Sequence, residues 1–219
     1  MHNTVKNLLD IENNIKIHLN KLNINNNPKI IAVSKTFKID KILPLIEYGH
    51  INFGENKVRE AIDKWTEIKI KNPNIKLHMI GKLQTNKVKL AVKLFDYIHS
   101  VDNKKLAKKI SEEQIKQNKN IKIFMQVNVG NENQKSGIDI ENLEDLYAYC
   151  KEIKLDITGL MCIPPISNNP EKYFNKLKLL KDKLKLENLS MGMSGDYLEA
   201  INYSATHLRI GTGIFGLRN

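Results

Sequence analysis

The chain has only two cysteines in 219 residues, Cys150 and Cys162. They are too few for a disulfide framework and lack C-x-x-C spacing, so buried thiols are expected rather than a redox pair. No uninterrupted apolar stretch approaches the ~20 residues of a membrane-spanning helix. The opening MHNTVKNLLD lacks the apolar core of a secretory signal. Neither a membrane span nor export is expected, and the cytoplasm is the default location. The P-loop signature G-x-x-x-x-G-K-S/T is also missing, and no G-x-G-x-x-G follows the first strand pattern, which argues against P-loop and dinucleotide binding. The net charge of +11 and pI near 9.4 invite a nucleic-acid reading. The lysines, however, are spread along nearly every predicted helix, with no basic block or aromatic-interleaved stripe, so no specific nucleic-acid partner is expected.

What is present is an alternation. At 25.2 kDa the chain fits one large α/β domain over residues 1–219. A long amphipathic helix is predicted first, with Val5, Leu8, Leu9, Glu12, Ile15, Leu19 and Leu22 near one face. Strand patterns follow at 30–33, 51–53, 75–80, 97–99, 121–129, 156–160, 189–191 and 206–210, with helical patterns between them. Eight strands and eight helices, counting the leading one, predict a closed (β/α)8 barrel. An open doubly wound sheet is the competitor, but its first strand should lead into a glycine-rich turn; here that turn is S-K-T-F.

Chemistry is then expected at the carboxyl ends of the strands. The first strand delivers Ser34, Lys35 and Thr36 there, and a lysine amine in such a place can serve as a nucleophile. The seventh supplies M-G-M-S-G with Ser194, and the eighth supplies R-I-G-T-G, where Gly211, Thr212 and Gly213 precede a short terminal helix. Backbone N–H groups and hydroxyls after strands seven and eight suit a phosphate. Closure would bring strand eight, with Arg209, beside strand one. An amine near a phosphate cradle suits pyridoxal phosphate, and equally aldolase-type chemistry on a sugar phosphate.

The strand ends also carry a family pattern: A-V-S-K-T at 32–36, F-G-E-N at 53–56, H-M-I-G-K-L-Q-T-N-K at 78–87, V-N-V at 127–129, K-S-G at 135–137, G-L-M at 159–161, L-S-M-G-M-S at 189–194 and R-I-G-T-G-I-F-G at 209–216. In these the chain resembles the pyridoxal phosphate homeostasis family, whose barrel is similar to the N-terminal domain of alanine racemase. The resemblance implies a pyridoxal 5'-phosphate cofactor held covalently as an aldimine on Lys35. It further implies Arg209 facing the pyridine nitrogen, Ser194, Gly211 and Thr212 at the phosphate, Met193 among the cofactor-binding residues, Asn56 close to the cofactor, and His78 and Asn86 lining the same mouth. Gly195 and Gly213 are smaller than the residues usual in the family and are expected to loosen the pocket. The K-S-G turn, with Lys135, reads equally well as a solvated loop.

An arginine opposite the ring nitrogen keeps that nitrogen unprotonated and weakens the electron sink. Alanine racemase adds a tyrosine from a second domain, and the sequence, stopping at Asn219, is expected to lack one. The tyrosines at 48, 97, 147, 149 and 173 are expected to pack. The implied function is a non-catalytic carrier or regulator in vitamin B6 and amino-acid homeostasis, a monomer whose partners would be apoenzymes that use the cofactor. The alternative is a small racemase or lyase.

Overall fold

The computed structural model describes residues 1–131, 136–165 and 169–217; Lys135 of the K-S-G turn lies outside them. The strands are β1 (Lys29–Val33), β2 (Asn52–Glu55), β3 (Lys76–Met79), β4 (Tyr97–Val101), β5 (Lys122–Gln126), β6 (Asp156–Met161), β7 (Asn188–Ser190) and β8 (His207–Ile210). They form a closed barrel in sequence order, with β1 parallel to both β2 and β8. Around it run α1 (Asn3–Leu22), α2 (Leu43–Glu47), α3 (Val58–Lys71), α4 (Val88–Leu94), α5 (Lys104–Lys116), α6 (Leu143–Glu152), α7 (Glu171–Lys183), α8 (Tyr197–Asn202) and α9 (Thr212–Phe215). The eight-stranded barrel expected from the alternation is therefore observed.

Helix α1 buries Val5, Leu8, Ile11, Ile15 and Leu19, spaced three or four apart, so they share one face. Ile11 takes the position that the sequence pattern gave to Glu12, which is exposed, as is Leu22. The helix ends at Asn23, left-handed at φ 53°, whose N–H returns to the Leu19 and Asn20 carbonyls.

Side chains alternate across the barrel wall. In β2, Phe53 points outward against Trp65 of α3 at 4.8 Å between ring centroids, while Asn52 points inward to His78. Each fully buried outward residue of this kind, such as Phe53, Leu77 or Ile98, contributes about 1.5–3 kcal/mol by leaving water. Inward positions carry a second, smaller packing: Phe124 lies 4.3 Å from the His99 ring and 5.0 Å from His207.

Several strand ends differ from the sequence pattern, and those of β2 and β5 have an identifiable reason. β2 runs on through Gly54 and Glu55, because Glu55 pairs with Met79 of β3 although G-E-N reads as a turn. β5 stops at Gln126, three residues short of the apolar run. There the chain bridges its own returning loop, Val127 with Ile138, through Asn128 N–H to Ile138 O and Ile138 N–H to Gln126 O.

Candidate functional site

The exits of β1, β7 and β8 lie together at one end of the barrel. After β1 the chain turns tightly, with Phe37 N–H donating to Ser34 O at 3.2 Å. Lys35 and Thr36 occupy the middle of that turn, Lys35 half-buried and Thr36 at φ 68°. Phe37 then stacks on Phe215 of α9 at 4.9 Å, which joins the β1 exit to the β8 exit. The loop after β7 reaches the same place, since Ser194 Oγ accepts a hydrogen bond from Gly213 N–H at 3.0 Å. Helix α1 braces this junction from beneath: Asn7 Nδ2 donates to Ile214 O at 2.9 Å.

Of the residues expected at the phosphate, Ser194 is half-buried, while Thr212 at the start of α9 is exposed. Met193 is exposed too, and its N–H is spent within its own loop on Asp196 Oδ1 at 2.6 Å. Gly211 lies beside β1: a Cβ there would stand 3.6 Å from Val33. The expected loosening at Gly195 and Gly213 divides. Gly195 opens onto nothing within 4 Å, but a Cβ at Gly213 would meet Ile210 at 3.1 Å and Ser194 Oγ at 3.4 Å. The neighbours have closed around Gly213, so the small residue tightens that corner.

Asn56 follows β2 and lines a cavity of about 320 Å³ with Gly81, Lys82, Gln126, Ser136 and Ile163. Its Oδ1 is buried and has no hydrogen-bond partner, a costly state for a polar atom unless something else supplies a donor. Gly81 permits the tight approach of this loop, since a Cβ there would sit 2.4 Å from Asn56 O. Asn86 is exposed on a 3-10 turn beyond β3, outside that lining.

His78 requires a correction. It does not line the mouth; it is fully buried within the barrel, because position 78 is an inward position of β3. Its Nε2 meets Asn52 Oδ1 at 3.2 Å and its Nδ1 meets His99 Nε2 at 3.0 Å. His99 Nδ1 meets Ser190 Oγ at 2.9 Å. Ser190 Oγ accepts from Arg209 Nη1 at 2.8 Å, and Arg209 Nη2 donates to Cys162 O at 2.7 Å. His78 thus belongs to a chain of side chains running from Asn52 to Arg209, which is itself buried.

The sense of that chain follows from its ends. Asn52 Oδ1 can only accept, so the hydrogen lies on His78 Nε2. Burial foremost, then neighbouring positive charge, holds His78 and His99 well below the usual imidazole range, so both rings are neutral. His78 Nδ1 must then accept from His99 Nε2–H, and His99 Nδ1 must accept from the Ser190 hydroxyl. That leaves the serine lone pairs for Arg209, which has only donors. Both ends demand the same order. His207, edge-on to the Phe124 ring in the same lumen, has a pKa pushed down to about 3 by burial and then by the charges of Lys29 and Arg209. Burial is also the first influence on Arg209, lowering it, and on Cys162, raising it to about 12.

His99, Ser190 and His207 carry a sequence signal that is visible only in hindsight: polar residues at alternate, inward positions of otherwise apolar strands. Glu55 carried none.

Comparison with known proteins bears on this arrangement. The profile of the family described as alanine racemase, N-terminal domain, matches residues 7–219. The pyridoxal phosphate homeostasis protein of Aquifex aeolicus is 40% identical over 200 residues, covering 87% of each chain. This chain belongs to the pyridoxal phosphate homeostasis family. The Haemophilus influenzae member is 35% identical, with 99% of this chain and 97% of that protein covered. Among solved structures, PipY of Synechococcus elongatus, described with PLP bound, matches with a TM-score of 0.81 at 32% identity over 92% of this chain and all of that one. Alanine racemase of Clostridium difficile shares the fold alone, with a TM-score of 0.76 at 17% identity, matched over 57% of its length. This chain's own barrel is an α/β fold closed by eight parallel strands. Among the described residues no helix is long and apolar enough to cross a membrane, and no cluster of histidine, cysteine or carboxylate side chains could hold a metal ion.

Proposed function

We propose that this chain binds pyridoxal 5'-phosphate covalently, as a Schiff base on Lys35, and acts in the cytoplasm as a monomeric carrier or regulator of the cofactor for apoenzymes that use it. The observation that carries the reading is the junction of three strand exits. The Lys35 turn, Ser194 with Gly213, and the start of α9 are joined through the Ser194–Gly213 and Phe37–Phe215 contacts, in a chain whose relatives are named for this cofactor.

The residues present fit the group. Ser194 Oγ accepts from Gly213 N–H and keeps its own hydrogen for a phosphate oxygen, Thr212 adds an exposed hydroxyl, and Asn56 supplies a buried amide oxygen in need of a donor. Arg209 brings a guanidinium that remains charged in proteins. When bound, the cofactor supplies an aldehyde for amine capture and a ring that can accept electrons.

A carrier is favoured over an enzyme because a second cation beside Arg209 is unfavourable, which keeps the ring nitrogen unprotonated and the sink weak. Among the described residues lining the cavity at Asn56, Lys82 is the one titratable side chain, and no acid–base pair stands there.

Purified protein should absorb in the visible region of a lysine-bound pyridoxal, and Lys35→Ala should lose that band. Borohydride reduction and peptide mass analysis should find the pyridoxyl group on Lys35; an adduct on another lysine would refute the assignment. Pyridoxal without its phosphate should bind far more weakly, since several charge-assisted hydrogen bonds are at stake, and equal affinities would refute the cradle. Thr212→Val should weaken binding only modestly, because backbone donors remain. Loaded protein incubated with amino acids in deuterated water should exchange no α-protons faster than free cofactor. Exchange that vanishes in Lys35→Ala would favour the racemase or lyase reading.

A further inference from the structure

The turn bearing Lys35 is held from outside the barrel by one helix. Lys64 of α3 donates from Nζ to Ser34 O, the carbonyl just before Lys35, at 2.9 Å. Glu60, one helical turn earlier on α3, accepts from Thr36 N–H, the amide just after Lys35, at 2.6 Å. Lys64 also bonds Glu60 at 3.2 Å and Glu55 Oε1 at 2.9 Å. Glu55 is fully buried, and its Oε1 further accepts from Ser34 Oγ at 2.8 Å and Trp65 Nε1 at 3.0 Å. Three of these six bonds join α3 or β2 to residues 34–36, and the other three tie α3 to itself and to β2.

Two features point past ordinary structural use. Thr36 has a positive φ at the third residue of its turn, a place that glycine or asparagine normally takes. A β-branched residue there is strained by about 1–3 kcal/mol, and strain of this kind persists only where surrounding bonds over-determine it. The bond to Glu60 is such a bond. Partial burial alone would raise the Glu60 carboxyl, but the Thr36 N–H and the Lys64 charge outweigh it and hold it below the usual range. Moreover, Lys64 is nearly buried and spends its charge on two carboxylates and a backbone carbonyl that already accepts from Phe37 N–H. That third bond adds nothing to closing the turn, but it fixes the tilt of the 34–35 peptide.

We propose that Lys64 and Glu60 are positioning residues for Lys35. Gripping the peptide group on each side of it, they set the direction in which its side chain leaves β1 and so aim the amine at a carbonyl held against Ser194 and Thr212. This rests on the reading that Lys35 is the capturing amine. In that capture the nitrogen lone pair forms a bond to the aldehyde carbon, the carbonyl oxygen leaves as water with both amine hydrogens, and a carbon–nitrogen double bond remains. The proposal concerns only where the nitrogen stands when this begins. A misplacement of about 1 Å in such a geometry slows a reaction by up to about a hundredfold.

The test is stopped-flow mixing of each apo-protein with pyridoxal 5'-phosphate, following the visible band, with borohydride trapping and peptide mass analysis at the end point. Lys64→Met and Glu60→Gln should each slow capture by about tenfold or more while Lys35 stays the labelled residue. Lys64→Arg, which keeps the donors, should recover most of the rate. Val58→Ala, also on α3 but taking part in none of these side-chain bonds, should lower the thermal midpoint and leave the rate unchanged, which separates aiming from general loosening. Wild-type rates in both Lys64→Met and Glu60→Gln, with Lys35 labelled, would overturn the proposal and leave the Schiff-base reading standing. A slowing in Val58→Ala as large as theirs would also overturn it. Label on another lysine in the wild-type protein would instead refute the Schiff-base reading.

Discussion

Two buried cations, Lys64 and Arg209, are housed in opposite ways. Lys64 sits between the barrel wall and α3 and is met by two carboxylates, Glu55 at 2.9 Å and Glu60 at 3.2 Å. Arg209 sits inside the barrel, and its bonds run to a serine hydroxyl and a backbone carbonyl. The difference follows from what each region can hold. Outside the strands, a helix supplies acidic residues one turn apart and solvent is near. Inside, side chains from every strand crowd one axis, and a carboxylate beside Arg209 would neutralise the charge that the lumen presents. Ion-paired side chains therefore hold the backbone of the Lys35 turn, while bonds to neutral acceptors hold Arg209.

The largest effect is expected at the paired site. Glu55→Leu leaves Lys64 facing Glu60 alone and strips Ser34 and Trp65 of their acceptor, so urea titration should show a loss of about 3–5 kcal/mol, as for other broken buried pairs. In the lumen, His99→Phe keeps the stacking surface for Phe124 but orphans the Ser190 hydroxyl and His78 Nδ1. The cost should be about 1–3 kcal/mol, and a loss as large as that of Glu55→Leu would erase the distinction between the two regions.

Protons should act on the lumen selectively. His78, His99 and His207 are neutral when folded, with pKa values lowered from the usual imidazole range, whereas unfolded histidines bind protons below about pH 6.5. Protons therefore favour the unfolded chain: stability is fully present above about pH 6.5 and is lost as pH falls from there, for His207 down to about 3. His207→Leu should flatten that slope by up to about 1.4 kcal/mol per pH unit, read from urea midpoints between pH 7.5 and 5. The smallest effect belongs to an exposed pair: Lys104→Ala removes the contact with Asp145 at 2.7 Å and should change stability by less than about 1 kcal/mol.

The barrel and the order of its elements were legible because apolar strand runs alternate with amphipathic helical patterns along the chain. Lys35, Ser194, Gly211 and Thr212 were legible as strand-end residues for the same reason. The lumen was not. His78, His99, Ser190 and Arg209 come from four strands, and only closure of the sheet makes them neighbours. His78 was accordingly put at the mouth, since strand-end motifs draw attention to the exits and say nothing of which residues face inward. Glu55 was hidden differently: G-E-N has turn-forming composition, and the strand continues through it only because β3 lies alongside.

The one-way order of the lumen chain has an electrical consequence. From Arg209 through Ser190, His99 and His78 to Asn52, each link donates in the same sense, so the small bond dipoles follow one another head to tail along the chain, as peptide dipoles do along a helix. Their negative end lies at Ser190, against the guanidinium. The strands thus assemble, out of uncharged groups, a potential that favours positive charge at Arg209, and they leave that charge without a carboxylate among its hydrogen-bond partners. Whatever rests against Arg209 meets a cation whose own hydrogen bonds all run to neutral acceptors.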